Sequence, residues 1–188
     1  DALEDAVVRA IIGDRELHKS QRVVLSSLRA GNSVLAVMAT GRGKSLTFQV
    51  HAACEALAHY TASLFVYPLR ALIADQAFHI NEALAPFGIN ACTLTGESAP
   101  DERRQAFAGL ADGSVDIVLT TPEFLVCHAP EFAATGRIGF VVVDEAHHIG
   151  LSRAGHRPAY AQLGSAIAQM GNPVVLALTA TSDEAVTS

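Results

Sequence analysis

Short apolar, β-branched runs recur along the chain, and stretches with helical spacing lie between several of them. Six runs are predicted to be strands, over residues 33–39, 63–68, 91–96, 115–121, 138–145 and 174–181. They are nearly continuously apolar, which is typical of a parallel sheet covered on both faces. Helical spacing predicts helices over 44–59, 70–85 and 101–110, the last preceded by a capping-box pattern at 98–101. This alternation predicts an α/β domain with a doubly wound, mostly parallel sheet.

Composition narrows the class of protein. The 188 residues suit one domain, since a typical domain has roughly 150. Half of the residues are hydrophobic and 17% are charged, which excludes a disordered chain and supports a sizeable core. The formal net charge of −6 argues against nucleic-acid binding through a broad basic face. A polyanionic partner would have to be bound by a few specifically positioned groups rather than by a broad basic surface.

The location of the protein is predicted from its cysteines and its apolar stretches. The three cysteines are far apart and form no C-x-x-C pair, so their use favours a reducing, cytoplasmic environment. Residues 158–182 carry no charge, but the polar and helix-breaking residues at 162, 169 and 171–173 argue against a membrane-spanning helix. The chain begins at Asp1 without a signal peptide and ends just after a helix-start pattern. We therefore expect a segment of a longer protein.

A glycine-rich turn follows the first predicted strand and precedes a predicted helix. It carries Thr40, Gly41, Arg42, Gly43, Lys44 and Ser45. Backbone N–H groups of such a turn converge on phosphate oxygens, and the helix N-terminus adds a favourable dipole. Lys44 would neutralise the β- and γ-phosphates of a nucleotide, and the Ser45 hydroxyl would ligate Mg²⁺. The common pattern has glycine where this chain has Met38, and an ordinary glycine turn is the alternative.

An acidic pair, Asp144-Glu145, ends the fifth predicted strand, and two histidines follow closely. An open α/β sheet places its active site at the carboxyl ends of its strands. Asp144 is suited to hold Mg²⁺, and Glu145 to orient and deprotonate an attacking water. An ordinary capping pair is the alternative. Because His147 and His148 have neither an H-E-x-x-H pattern nor a cysteine partner, no zinc site is predicted.

Together these motifs resemble those of superfamily 2 helicases, and further motifs in the same order resemble the RecQ family. The first of them begins with Pro68-Leu69 and ends with Asp75-Gln76. The others are Thr95-Gly96, Thr121-Pro122-Glu123, the DEAH box Asp144-Glu145-Ala146-His147, the motif III segment Leu178-Thr179-Ala180-Thr181, and Arg157-Pro158-Ala159-Tyr160. The resemblance covers about residues 17–182. It implies a RecA-like P-loop NTPase domain that uses ATP and Mg²⁺.

The resemblance also implies roles for single residues of the ATPase site. It assigns Lys44, Asp144 and Glu145 to catalysis and Gln21 to the recognition of adenine. His147, Thr179 and Thr181 would couple the state of the nucleotide to the nucleic-acid path.

Contacts with DNA are implied in the same way. The family positions that grip the sugar–phosphate backbone of one strand are Arg70, Thr95, Gly96, Thr121 and Pro122 here. Short polar side chains and N–H groups at loop ends bind phosphate without reading sequence. Arg70 adds a charge in a chain that has few. The alternative is that these are turn residues shaped by proline and glycine.

The chain departs from the family pattern at two places. Leu17-His18 stand where the family has Phe-Arg, so the amide of Gln21 keeps its bidentate capacity but has weaker stacking and cationic partners. A solvated residue at a helix start is the alternative for Gln21. In the aromatic-rich loop, which couples DNA contact to hydrolysis, Ser152 and His156 replace tryptophan and phenylalanine. Its stacking surfaces are therefore absent.

We therefore expect residues 1–188 to be one domain, the N-terminal half of a RecQ-like motor that couples ATP hydrolysis to translocation on single-stranded DNA and duplex unwinding. The resemblance places an arginine that stabilises the transferring charge on a second RecA-like domain of the same parent chain, so this half alone should turn over little ATP. One alternative is a superfamily 2 translocase that remodels complexes without separating strands, which the altered loop favours. The other is a non-catalytic interaction module, which the intact Lys44, Ser45, Asp144 and Glu145 disfavour. No membrane partner is expected.

Overall fold

The centre of the molecule is a six-stranded sheet in which all neighbouring strands run parallel. The computed structural model describes residues 1–38, 42–146 and 158–180. The strands are β1 Val34–Met38, β2 Ala62–Val66, β3 Ala91–Leu94, β4 Ile117–Thr120, β5 Ile138–Val143 and β6 Val174–Ala180. Their order across the sheet is β1-β6-β5-β2-β4-β3. All six predicted strands are confirmed, and several end earlier than predicted because the chain leaves the sheet before its motif residues.

Helices connect the strands and lie on both faces of the sheet. They are α1 Ala2–Ile12, α2 Lys19–Arg29, α3 Arg42–His59, α4 Arg70–Leu84, α5 Pro100–Asp112, α6 Pro122–Cys127, α7 Ala129–Ala134 and α8 Pro158–Ala168, with a 3₁₀ turn at Ala85–Phe87. The predicted helices are α3, α4 and α5. The cap of α5 differs from the prediction, because Ala99 and not Ser98 precedes its first turn. The Glu102 carboxylate accepts a hydrogen bond from the Ala99 N–H, whereas Ser98 Oγ accepts one from Thr95.

Two hydrophobic cores confirm that the sheet is doubly wound. On one face, α1 to α4 pack against the sheet, with Phe48 of α3 and Ile80 of α4 fully buried. On the other face, α5 to α8 pack against it, with Phe132 and Leu163 among the buried residues. The strands between these layers are apolar on both sides, and every residue of β2 is buried. This explains why the strand runs showed no alternation of polar and apolar residues.

The parallel arrangement brings the carboxyl ends of all six strands to one edge of the sheet. Pairing continues one residue past two of the strands: the Asp144 N–H donates to the Val66 carbonyl, and the Tyr67 N–H to that of Thr120. The segments that follow β2 and β5 are therefore fixed by the sheet at its carboxyl edge. In the described part of the chain, no helix is both long and apolar enough to cross a membrane.

Candidate functional site

Two predicted motifs that lie 100 residues apart meet at the carboxyl edge of the sheet. Lys44, in the first turn of α3, donates a hydrogen bond from Nζ to Asp144 Oδ1 at 3.1 Å. Both side chains are partly shielded from solvent, with 23% of Lys44 and 11% of Asp144 exposed. Because shielding from water strengthens an ion pair, each group holds the other in place. An anion or a cation arriving here would find a partner of opposite charge already positioned.

Glu145 follows Asp144 and has an unusual backbone conformation. Its φ is 56°, in the left-handed region that non-glycine residues seldom adopt. Such a conformation costs of order 1–3 kcal/mol and is maintained only where the surrounding structure enforces it. Glu145 is half-buried between the buried residues Asp144 and Ala146. The chain thus turns sharply at the residue predicted to be the general base.

A cleft of about 930 Å³ lies between the helices on the α1–α4 face, and neither Lys44 nor Asp144 is among the described residues that line it. Ser45 lines it from α3, and Gln21 lines it from α2. Asp75 and Gln76, which close one of the predicted motifs, line the same cleft from α4. The structure therefore brings the predicted Mg²⁺ ligand Ser45 and the predicted base-reading residue Gln21 to one cavity, whose size suits a nucleotide.

Gln21 lies at a helix start, but it is not solvated, since only 4% of the residue is exposed. Its Oε1 accepts a hydrogen bond from the His18 N–H at 2.8 Å, which caps the first turn of α2. The solvated alternative for Gln21 is therefore wrong. The same residue both stabilises the start of α2 and faces the cleft.

Other predicted site residues are described only in part. Thr40, Gly41, His147 and Thr181, together with Ser152 and His156 of the altered loop, lie outside the described residues. Arg42 and Gly43 begin α3. Thr179 is half-buried on β6, where it pairs with Val37 of β1.

A second cavity, of about 510 Å³, collects predicted nucleic-acid residues. Arg70, Gly96 and Thr121 line it, each from the segment that follows a different strand. Thr121 is 5% exposed, and its Oγ1 accepts a hydrogen bond from the Phe124 N–H as the cap of α6. Pro122 is buried as the first residue of that helix. Both residues thus form the start of α6, and Thr121 also lines the cavity.

The charge of Arg70 is already paired in this structure. Its Nη1 lies 2.7 Å from Glu97 Oε1, and both side chains are more than half exposed. Next to Glu97, Thr95 is half-buried, and its Oγ1 accepts a hydrogen bond from the Glu97 N–H at 3.2 Å. An incoming phosphate would have to compete with Glu97 for the guanidinium group.

Sequence reasoning missed an aromatic cluster beside this cavity. The rings of Phe124 and His128, which both line the cavity, stack at 4.1 Å. Arg103 lies over the Phe124 ring at 5.6 Å and donates hydrogen bonds to the carbonyls of Gly96 and Ser98. The Arg103 side chain therefore fixes the loop that carries Thr95 and Gly96. No sequence motif marked these residues, because the cluster forms only when α5 and α6 pack together.

Comparisons with known proteins agree with the fold and the motifs. The family model for DEAD/DEAH box helicases matches residues 18–188. The chain is 32% identical over 184 residues to the ATP-dependent DNA helicase RecQ of Haemophilus influenzae and 34% identical over 190 residues to that of Pasteurella multocida. These matches cover 96% and 95% of this chain but 28% and 27% of the relatives. The chain thus spans about a quarter of the length of these relatives.

A solved structure shares the fold. The crystal structure of the DUF1998 helicase MrfA bound to DNA and AMPPNP superposes with a TM-score of 0.78 at 22% identity. The superposition covers 97% of this chain and 27% of that one. With the family model matching nearly the whole chain, the residues that meet at the carboxyl edge of the sheet belong to a known set of motifs: the protein is a member of the DEAD/DEAH box helicase family and forms its ATP-binding helicase domain.

Proposed function

We propose that this chain is the N-terminal RecA-like domain of a RecQ-like DNA helicase, a motor that couples ATP hydrolysis to movement along single-stranded DNA and to duplex unwinding. The observation that carries the proposal is the 3.1 Å contact between Lys44 of the glycine-rich turn and Asp144 of the DEAH box. The names of the relatives, ATP-dependent DNA helicases, support the same reaction.

The nucleotide occupies the edge of the sheet from Lys44 to Gln21. When ATP binds, Lys44 exchanges Asp144 for the β- and γ-phosphates, and Asp144 becomes available to a metal ion. The Ser45 hydroxyl and the Asp144 carboxylate are oxygen donors, which suit Mg²⁺. Mg²⁺ held by these two groups would neutralise phosphate charge and orient the phosphates. Glu145 orients the attacking water and accepts its proton.

DNA lies along the second cavity. Arg70 binds a backbone phosphate after releasing Glu97, and the loop ends at Thr95, Gly96 and Thr121 supply further backbone contacts. Such contacts hold a strand without reading its sequence. His147, Thr179 and Thr181 link this path to the nucleotide.

The rest of the motor lies on the parent protein. A second RecA-like domain supplies the arginine that stabilises the transferring phosphoryl group, as the partial coverage of the relatives supports. The cytoplasmic location expected from the cysteine content stays a prediction.

A second candidate is a translocase that remodels protein–nucleic acid complexes without separating strands. Ser152 and His156, in place of the aromatic residues of the coupling loop, favour it. A strand-separation assay on the parent protein distinguishes the two, because the remodeller would hydrolyse ATP on DNA without releasing a strand. An interaction module that binds no nucleotide would not need the contact between Lys44 and Asp144, so this contact disfavours that alternative.

Calorimetric titration with Mg·ATP tests the nucleotide site. Lys44→Ala should abolish binding because it removes the charge that faces the phosphates, whereas Glu145→Gln should leave binding intact or tighten it. The chain has a single other lysine, the exposed Lys19 on α2, and Lys19→Ala is the matched control. Binding of Mg·ATP by Lys44→Ala with wild-type affinity would contradict the proposal.

A further inference from the structure

The cleft on the α1–α4 face contains a polar side chain that the proposed nucleotide site does not use. Gln49 lies on α3, one helical turn after Ser45, and lines this cleft. The residue is 8% exposed, and within the described ranges its amide has no hydrogen-bond partner. Because Gln49 lines the cleft, a molecule bound there can reach this amide and hydrogen-bond to it.

Part of the cleft that Gln49 lines is apolar and can pack against a flat ring. Ile11, Ile12 and Leu46 line the same cleft and provide an apolar surface. Lys44 and Ser45, which face the phosphates in the proposed site, precede Gln49 on α3. A nucleotide whose phosphates lie at the start of α3 can thus place its base beside Gln49.

Gln21 already serves the protein's own structure. One lone pair of its Oε1 is engaged by the His18 N–H at 2.8 Å. This contact fixes the direction of the side chain and limits how far its carbonyl can adapt to a base. Gln49 carries no such restraint among the described residues.

A primary amide can distinguish adenine from guanine by the donors and acceptors on the edge of the base. Adenine presents its 6-amino donor beside the N7 acceptor, whereas guanine presents two acceptors, O6 and N7. A primary amide presents a C=O acceptor beside an NH₂ donor, so it matches adenine and sets its carbonyl against O6 of guanine. We propose that Gln49 is a second base-reading residue, whose carbonyl accepts a hydrogen bond from the 6-amino group of adenine. This inference rests on the proposed binding of ATP.

Competition of ATP, GTP and purine riboside triphosphate against a fluorescent ATP analogue tests the role of Gln49. Gln49→Leu should weaken ATP binding by about 3- to 10-fold, the worth of one or two hydrogen bonds. GTP binding should stay the same or improve, so the preference for ATP over GTP should fall. With purine riboside triphosphate, which lacks the 6-amino group, the loss should be smaller than with ATP. Gln162→Leu, at an exposed position on α8, makes the same chemical change elsewhere and should change nothing.

The outcomes separate this inference from the proposed function. An unchanged ratio of ATP to GTP affinity in Gln49→Leu, in a chain that binds ATP and loses it with Lys44→Ala, would overturn the role of Gln49 alone. Absence of ATP binding by the wild-type chain would overturn both. If circular dichroism shows that Gln49→Leu does not fold, Gln49→Met, which is closer in shape, replaces it in the same comparison.

Discussion

Replacing His51 by glutamine should change how the stability of the domain depends on pH. His51 lies on α3, is 4% exposed and packs edge-on against the Phe140 ring at 4.6 Å. Burial, and then the positive charges of Arg29 and His59, lower the pKa of His51 from 6.5 to about 4. The Glu55 carboxylate, 3.7 Å from Nε2, could pair with a protonated ring, but the cost of burial outweighs this attraction.

The sign of the effect follows from this lowered pKa. Above pH 6.5 the imidazole is neutral in both states, and its contribution to stability is fully present. As the pH falls from 6.5 towards 4, the unfolded chain binds a proton that the folded chain does not, so stability is lost. The lowering of the His51 pKa from 6.5 to about 4 corresponds to a total loss of about 3 kcal/mol, of which about 2 kcal/mol falls between pH 7 and pH 5.

Urea unfolding at several pH values between 7 and 5 measures this loss. The free energy of unfolding of His51→Gln should fall less over this interval than that of the wild type, by about 2 kcal/mol. Whether His51→Gln is less stable at pH 7 does not matter, because the pH dependence is the readout. His79→Gln, at an exposed position on α4, controls for the loss of a histidine as such. Parallel curves for wild type and His51→Gln would refute the reasoning.

Four further variants test other parts of the structure. Glu97→Gln should strengthen the binding of single-stranded DNA because it releases Arg70, whereas Arg70→Ala should weaken binding about equally for all sequences. Fluorescence anisotropy at several salt concentrations measures both affinities, and unchanged affinity in both variants would place the DNA elsewhere. Tyr60 is an exposed residue that follows α3 with a φ of 55°, a backbone conformation that is strained for tyrosine but not for glycine. Tyr60→Gly should therefore raise the free energy of unfolding by about 1 kcal/mol, and a lower thermal midpoint than that of the wild type would contradict this expectation. Thr121→Ala should lower that free energy by about 1 kcal/mol through loss of the cap on Phe124, and urea unfolding that matches the wild type would show that the cap contributes nothing.

The sheet could be predicted from sequence because its strands are buried on both faces. An apolar run such as that of β2 leaves few alternatives to a central strand. Helices α6 and α7 have six residues each, too few for helical spacing to be seen, and were not predicted. Helices α1, α2 and α8 are longer but were not singled out either. The cap at Ala99 was missed because alanine is not a capping side chain, although Glu102 accepts the hydrogen bond of its N–H.

The candidate site was predictable where motifs follow strands. The rule that parallel strands end at one edge predicted that Lys44 and Asp144 belong to one site, and their contact agrees with it. The pairing of Arg70 with Glu97 depends on how the ends of two loops meet, which no spacing along the chain reveals. The position of Gln49 in the cleft depends in the same way on the packing of α1 to α4.

The measurement that tests the central claim most directly is phosphate release by residues 1–188, with and without single-stranded DNA, beside calorimetry with Mg·ATP. We expect residues 1–188 to bind Mg·ATP with almost no turnover. The groups on one side of the nucleotide are present here, whereas the arginine proposed for the second domain is worth ~10³–10⁵ in rate in related NTPases. Binding of ATP in its ground state needs only the groups that hold its phosphates, at the glycine-rich turn and Lys44. Binding should therefore survive the absence of that arginine. Rapid, DNA-stimulated hydrolysis by this chain alone, or no binding of Mg·ATP at all, would contradict the claim that it is half of an ATP-driven motor.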